Sequence, residues 1–286
     1  MAGNRIRKGR SAGWWGALLL CGMMLALIAG EVAARLAGVG DFPLYLADEE
    51  VGYIPAPSQQ GAFLGRNSWA FNEHSMGVSE SYAPQPEDIM LVGDSLVLGG
   101  NMIDQPDKLG PRLEAATNCD VWPLSAGSWG LQNELAALRR DPSLTIPQTL
   151  VLVLNSADFA APSRWRSELT HPRSKPVSVL AYAIRKRFFS PGEPAPPPQD
   201  PRWRAELDGF LQAYPGRVIA VAYPALDELD RSSSPIPALP TRIAVIDPRT
   251  SPGWDPADYA DSIHPTASAN AELAAMIASA TGQCAA

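Results

Sequence analysis

The chain has 286 residues, 46% of them apolar and 19% charged, with a formal net charge of −7. That length holds one large α/β domain or two small ones. The basic residues Arg5, Arg7, Lys8 and Arg10 sit in a short head without acids, so residues 31–286 carry −11, which argues against nucleic acid as a partner and, more mildly, against a strongly polyanionic substrate.

Residues 11–30, "SAGWWGALLLCGMMLALIAG", carry no charge. As a helix they span about 30 Å, the hydrocarbon thickness of a bilayer. The basic head is expected to stay in the cytoplasm, with the body in the periplasm or outside. Trp14 and Trp15 suit the membrane interface. The rivals are a cleaved signal peptide and a buried helix of a soluble protein. No small-x-small cleavage site follows the run, Leu20 is too bulky for a lipoprotein box before Cys21, and the helical pattern continues through "EVAARLAG". The expectation is therefore a single-pass signal anchor over 11–37 in the inner (cytoplasmic) membrane.

Residues 38–87 are rich in Gly, Pro, Ser and aromatics with little periodicity, and read as a stalk and an irregular layer over the domain. An alternation of strands and helices then begins. "DIMLVG" at 88–93 is a short apolar run closed by glycine, hence a buried strand. A helix is expected over 105–117, a strand at 119–125, a helix over 130–140, and a strand at 148–155, the most strand-like run in the chain. A helix over 202–214 leads to a strand at 216–224. A fifth strand follows at 242–248, and a helix over 265–281 closes the pattern. Between these lie "SVLAYAIRKRFF" at 178–189 and a Pro-rich insert at 190–201. The former reads as an ordinary helix with a solvated basic turn or as an amphipathic helix on the membrane surface; its shortness favours the ordinary helix. The insert reads as stiff and extended. The alternation predicts a three-layer α/β/α fold with a five-stranded parallel sheet, occupying 88–286 behind the head (1–10), anchor and stalk. In such open sheets the sites lie at the carboxyl ends of the strands.

Three cysteines are present. Cys21 lies in the apolar run. Cys119 and Cys284 are candidates for one disulfide in an oxidising compartment; the alternative is two unpaired thiols. The three histidines, His74, His171 and His264, are far apart and show no metal-ligand spacing, so no metal is expected.

Two stretches carry candidate chemistry. "GDSL" at 93–96 puts Ser95 just past the first strand. A serine needs a base beside it to act as a nucleophile. "DSIHP" at 261–265 offers one: Asp261 and His264, three apart on one turn, let the carboxylate hold Nδ1 and leave Nε2 as base. Each part has a plainer reading. Ser95 can be a helix cap, Asp261 a loop residue and His264 a surface histidine.

With these two blocks in order at opposite ends of an α/β alternation, the chain resembles the SGNH (GDSL-type) hydrolase family over residues 88–282. The resemblance implies a flavodoxin-like sheet between helices, with Ser95, His264 and Asp261 as the catalytic set. It also implies an oxyanion hole built from the amides of Ser95 and of Gly127 in "LSAGSWG". The family's third block, Gly-x-Asn-Asp, departs here to "NSAD" at 155–158, with Ala157 at the oxyanion asparagine. Either Asn155 reaches the oxyanion instead, or only the two amides serve; Asp94 and Asp158 are expected in support. The segment 41–77 is more loosely similar to the leader of membrane-anchored SGNH proteins of polysaccharide pathways, as a wall of the cleft or a packing layer. The resemblance implies a serine esterase or O-acyl(acetyl)transferase working through an acyl-enzyme, without cofactor. Its substrate would be an O-acylated cell-envelope or exported polysaccharide, or a small ester, with a membrane-bound acyl-donor protein as a further partner. The alternatives are a catalytically degenerate domain that binds glycan or serves as a scaffold, and a lipase or thioesterase at the membrane surface.

Overall fold

Five short runs, four of them buried on both faces, form one parallel sheet. The computed structural model describes residues 9–189 and 198–284, and only the backbone of residues 9–13. An N-terminal helix α1 (Gly9–Leu36) is followed by strands β1 (Tyr45–Asp48), β2 (Gly52–Pro55), β3 (Gln59–Phe63) and β4 (Asn67–Phe71). Then come β5 (Ile89–Gly93), α2 (Ser95–Leu98), α3 (Leu109–Thr117), β6 (Val121–Ser125), α4 (Leu131–Arg139) and β7 (Thr149–Leu154). The chain continues with α5 (Val179–Phe189), α6 (Arg202–Ala213), β8 (Arg217–Ala222), β9 (Ala244–Ile246) and α7 (Ala267–Thr281).

The sheet order is β6-β5-β7-β8-β9, with every pairing parallel. Numbered within the sheet this is 2-1-3-4-5, the flavodoxin-like order, whose switch point lies beside the first strand. Burial explains why these runs are strands. Leu91, Val92, Val151, Leu152, Val153, Ile219 and Val221 are all fully buried, alternating between the two sheet faces. Each such side chain contributes about 1.5–3 kcal/mol. One face is covered by α4 and α6, the other by α3 and α7. The expected fifth strand shortens to three residues because β9 is an edge, with Val245 exposed. The expected helix over 105–117 divides at Lys108 into a single 3-10 turn and α3.

Residues 38–87 are more ordered than the sequence suggests: they form two antiparallel hairpins, β1–β2 and β3–β4. Their strands are only four or five residues long, and glycine, proline and serine mask the alternation that would mark them. Tyr45, Tyr53 and Ile54 of the first hairpin join the core on the α4 face.

Cys119 and Cys284 are joined, with their Cα atoms 5.1 Å apart, and Cys284 N–H donates to Thr117 O at 3.0 Å. The bond ties the entry to β6 to the tail beyond α7. Helix α1 is exposed along most of the 23 residues Trp14–Leu36, which are long and apolar enough to cross a membrane, and meets the body only near its end, at Gly30, Glu31 and Arg35. Residues 190–197, most of the Pro-rich insert, lie outside the described residues.

Candidate active site

Gly93 ends β5, and α2 begins only two residues later. A Cβ at Gly93 would lie 2.6 Å from Val97 Cγ2 and 3.2 Å from Val153 O, so the turn that presents Ser95 needs glycine there. Asp94 caps the short helix, its Oδ1 accepting from Leu96 N–H at 2.9 Å. Ser95 is thus the first residue of α2, and its own amide has no partner within the helix. The position is beside the switch point of the sheet, where β5 lies between β6 and β7.

The loop after β9 brings the second block to the same edge. Asp261 Oδ1 accepts from the amides of Ile263 (2.9 Å) and His264 (2.8 Å). This local turn explains the spacing of the block, because the carboxylate folds the three following residues around itself. Its other oxygen is left for the imidazole: His264 Nδ1 lies 2.8 Å from Asp261 Oδ2. Ala260 N–H donates to His264 O at 2.8 Å, which closes the loop before Thr266 caps α7. His264 Nε2 lies 2.9 Å from Ser95 Oγ, across 169 residues of sequence. With Nδ1 protonated toward Asp261, Nε2 is free to accept the serine proton. Burial by itself would raise the Asp261 carboxyl. The amides of His264 and Ile263 and the imidazole outweigh it and hold the group below the usual carboxylate range.

Gly127 follows β6 and faces the same edge. Its N–H donates to no acceptor among the described residues, whereas its carbonyl takes two donors. Tyr53 Oη donates to Gly127 O at 2.6 Å, and His171 Nε2 lies 3.1 Å from the same oxygen. Trp129 Nε1 donates back to Tyr53 O at 2.8 Å. Between Gly127 and Trp129, Ser128 sits in the left-handed region with φ 62°, an uncommon state for a non-glycine residue. The loop is therefore held in a specific shape from the first hairpin. Burial pulls His171 down to about 4, so the ring is neutral at physiological pH, and Nε2 carries the proton it gives to the carbonyl. The sequence reading left Tyr53, Trp129 and His171 without a role. The Gly52–Tyr53 pair in the leader was the one available signal for the first of them.

Asn155 follows β7, next to β5, but its side chain is spent largely on structure. Oδ1 accepts from Ala157 N–H at 2.8 Å, and Nδ2 donates to Asp94 Oδ2 at 3.2 Å. One Nδ2 hydrogen is left over, on a side chain that is fully buried. Asp158 Oδ2 accepts from Asn155 N–H at 2.7 Å. Beneath the serine turn the structure thus collects buried carboxyls: Asp94, Asp158 and, from α4, Glu134. Burial pushes Asp94 up to about 6, offset in part by the Leu96 amide and by His264. Burial raises Asp158 and Glu134 well above the usual range, and the negative charge of Asp94 adds to this. Neither oxygen of Glu134 has a hydrogen-bond partner among the described residues. His74 lies elsewhere, its ring tilted against Tyr82 with centroids 4.8 Å apart and its Nδ1 3.6 Å from Asp141.

No family model matches the chain, and no curated protein matches it. Several solved structures are similar. The C-terminal catalytic domain of Streptococcus pneumoniae peptidoglycan O-acetyltransferase A is 15% identical over 69% of this chain and 93% of that one, with a TM-score of 0.38. A lipase/acylhydrolase from Enterococcus faecalis is 16% identical over 68% and 94%, with a TM-score of 0.40. A carbohydrate esterase family 2 enzyme from Corynascus thermopiles (Myceliophthora fergusii) is 15% identical over 72% and 68%, with a TM-score of 0.38. At such scores these likenesses add nothing to what the sheet order and the hydrogen bonds at its edge say by themselves.

Proposed function

We propose that the chain is a membrane-anchored serine esterase or O-acyltransferase of the SGNH (GDSL) type. It would act through an acyl-enzyme on an O-acylated glycan of the cell envelope. The observation that carries this reading is the contact chain Ser95 Oγ–His264 Nε2–Asp261, at 2.9 and 2.8 Å. In the proposed reaction His264 Nε2 takes the Ser95 proton as Oγ attacks an ester carbonyl. Asp261 fixes the tautomer and stabilises the imidazolium that forms. The amides of Ser95 and Gly127 hold the oxyanion, which collapses with departure of the alcohol; His264 returns the proton to that leaving oxygen. The acyl-serine is then attacked by water, giving hydrolysis, or by a sugar hydroxyl, giving transfer, with His264 again accepting the proton.

The glycan substrate and the location on the outer side of the inner membrane are part of the same proposal. They are supported by the apolar helix, the basic head and the disulfide between Cys119 and Cys284, which suits an oxidising compartment. The chain would then divide into the basic head over 1–10, the anchor over 11–37, the hairpin layer over 38–87 and the catalytic domain over 88–286. A membrane-bound acyl donor would supply the acyl group if transfer is the reaction.

The test is a fluorophosphonate probe applied to the full chain in detergent micelles, beside Ser95→Ala and His264→Ala variants of matched melting temperature. Labelling of the parent that both variants lose is the expected result. Labelling that persists in Ser95→Ala removes Ser95 from the nucleophile's role.

A further inference from the structure

Glu31 is the first charged residue after the uncharged run of α1, and it sits on the side of the body. Its carboxylate accepts from Ser178 Oγ (2.8 Å), Val179 N–H (3.0 Å) and Leu180 N–H (2.9 Å), so it caps the start of α5. Arg35 of α1 closes the joint by donating to Val177 O at 2.6 Å. Leu180 packs on the preceding residue, Gly30, where an added Cβ would lie 3.0 Å from its Cδ2. Helix α5 therefore starts at the level where the apolar run of α1 ends.

One face of α5 meets the body: Val179 is buried, and Tyr182 stacks on Phe42 with ring centroids 5.0 Å apart. The opposite face is apolar and uncovered among the described residues. Ala181, Ile184 and Phe188 follow a 3-4 spacing, which places them on one stripe at 100° per residue, and Val177 lies two residues before the helix. Val177 is 97% exposed, Ile184 45% and Phe188 71%. On the same wheel Arg185 and Arg187 fall on opposite flanks of that stripe, and both are exposed. A stripe of large apolar side chains flanked by arginines is the composition of a helix lying in a membrane interface.

We propose that α5 is a second membrane contact, a foot that seats Val177, Ala181, Ile184 and Phe188 in the bilayer surface crossed by α1, with Arg185 and Arg187 against anionic headgroups. This rests on the reading of α1 as an anchor. The capped joint at Glu31 brings the foot to the boundary of that bilayer, and the charge of its flanks matches anionic lipid headgroups. Two contacts, one spanning and one lying flat, fix the orientation of the body over the membrane where a single tether would let it swivel. The Ser95 edge would then keep a constant height over the surface. The sequence reading preferred an ordinary helix here; the uncovered stripe and the joint with α1 are what the sequence alone did not reveal.

The test uses the full chain in vesicles of phosphatidylcholine and phosphatidylglycerol. Nitroxide labels are placed singly at Ile184→Cys, Phe188→Cys and Val245→Cys in a Cys21→Ser background, and at native Cys21 in the parent. Their accessibility to oxygen and to a water-soluble nickel chelate is then compared. The expected result is loss of nickel access at 184 and 188, with lipid-like oxygen access, while 245 on the sheet edge stays open to nickel. If 184 and 188 match 245 while Cys21 reads as lipid-buried, the foot is overturned and the anchor stands. If Cys21 itself is open to nickel, the anchor fails and the foot with it. Equal protection of 184 in detergent without vesicles, with dipolar broadening between labels, overturns the proposal in favour of a second copy covering the stripe.

Discussion

Asp261 and Glu134 are both carboxyls near the carboxyl edge of one sheet, and their surroundings set them in opposite states. Asp261 lies in an exposed turn that aims two amides and an imidazole nitrogen at it, so it stays ionised well into acid. Glu134 is fully buried, without a partner for either oxygen among the described residues, and is held protonated by burial and by the nearby charge of Asp94. Asp94 stands between them, raised to about 6 but supplied with an amide and the Asn155 side chain. The number of donors, rather than the residue type or the distance from the serine, decides which carboxyl can orient a base. A fixed negative charge belongs behind His264; a second one under the serine turn would be costly, and Glu134 avoids it by keeping its proton.

The sharpest way to break this comparison is Asp261→Asn. The Asn oxygen keeps the two amide bonds now made to Oδ1, which turns the NH2 group toward His264 Nδ1. The imidazole must then accept at Nδ1 and carry its proton on Nε2, where it cannot take the one from Ser95. Ester turnover should fall by about 10⁴-fold with the fold intact. Turnover within tenfold of the parent would show that Asp261 does not set the tautomer.

A smaller effect is expected at Asn155. Asn155→Ala removes the Asp94 partner and the cap on the following turn, at a cost of about 1 kcal/mol in stability. If the oxyanion is held by the two amides, turnover drops by no more than about tenfold, the worth of one ordinary hydrogen bond. A loss of about 10²–10³ would instead assign the remaining Nδ2 hydrogen to the oxyanion. Tyr53→Phe tests the loop from its other side. The Gly127 carbonyl keeps His171 and loses its 2.6 Å donor. The expected change is a drop in kcat of up to about tenfold with KM unchanged, measured on a small ester. An unchanged kcat would make the hairpin a packing layer only.

Much of this was legible in the sequence, for a physical reason. Strands of a doubly covered parallel sheet must be apolar throughout, so "DIMLVG" and "QTLVLVLN" announce themselves within a residue or two of their ends. The spacing of Asp261 and His264 is likewise local, because a single turn enforces it. What escaped depends on contacts between distant segments. Glu134 reads as an ordinary acid in the first turn of a helix, and nothing nearby in sequence says that β5 and the turn after β7 will close over it. Tyr53, Trp129 and His171 meet at Gly127 only in the folded chain. The hairpins that deliver Tyr53 are too short for a pattern of two to stand out.

The mildest prediction separates the two carboxyls by pH. The folded-state pKa of Glu134 lies above its unfolded value near 4.5, so between those two values the native state holds a proton that the unfolded chain has released. Stability contributed by this group therefore falls as pH rises through that window, by about 1.4 kcal/mol per pH unit while the difference lasts. Asp261 has the opposite sign: its folded pKa is lowered from 3.8, so its contribution is present above that value and is lost only as pH falls through the folded one. Glu134→Gln removes the first dependence and leaves the second. At pH 4 the variant and parent should melt together; at pH 8 the variant should melt higher, by about 2–4 °C for each kcal/mol that the parent has lost. Asp158, raised for the same reason, keeps part of the alkaline loss, so the slope should shrink without vanishing. Melting temperatures taken from pH 4 to 8 decide it. A parent whose stability is flat over that range, or a variant destabilised at pH 8, would mean that Glu134 is ionised in the fold and that burial does not divide the two carboxyls.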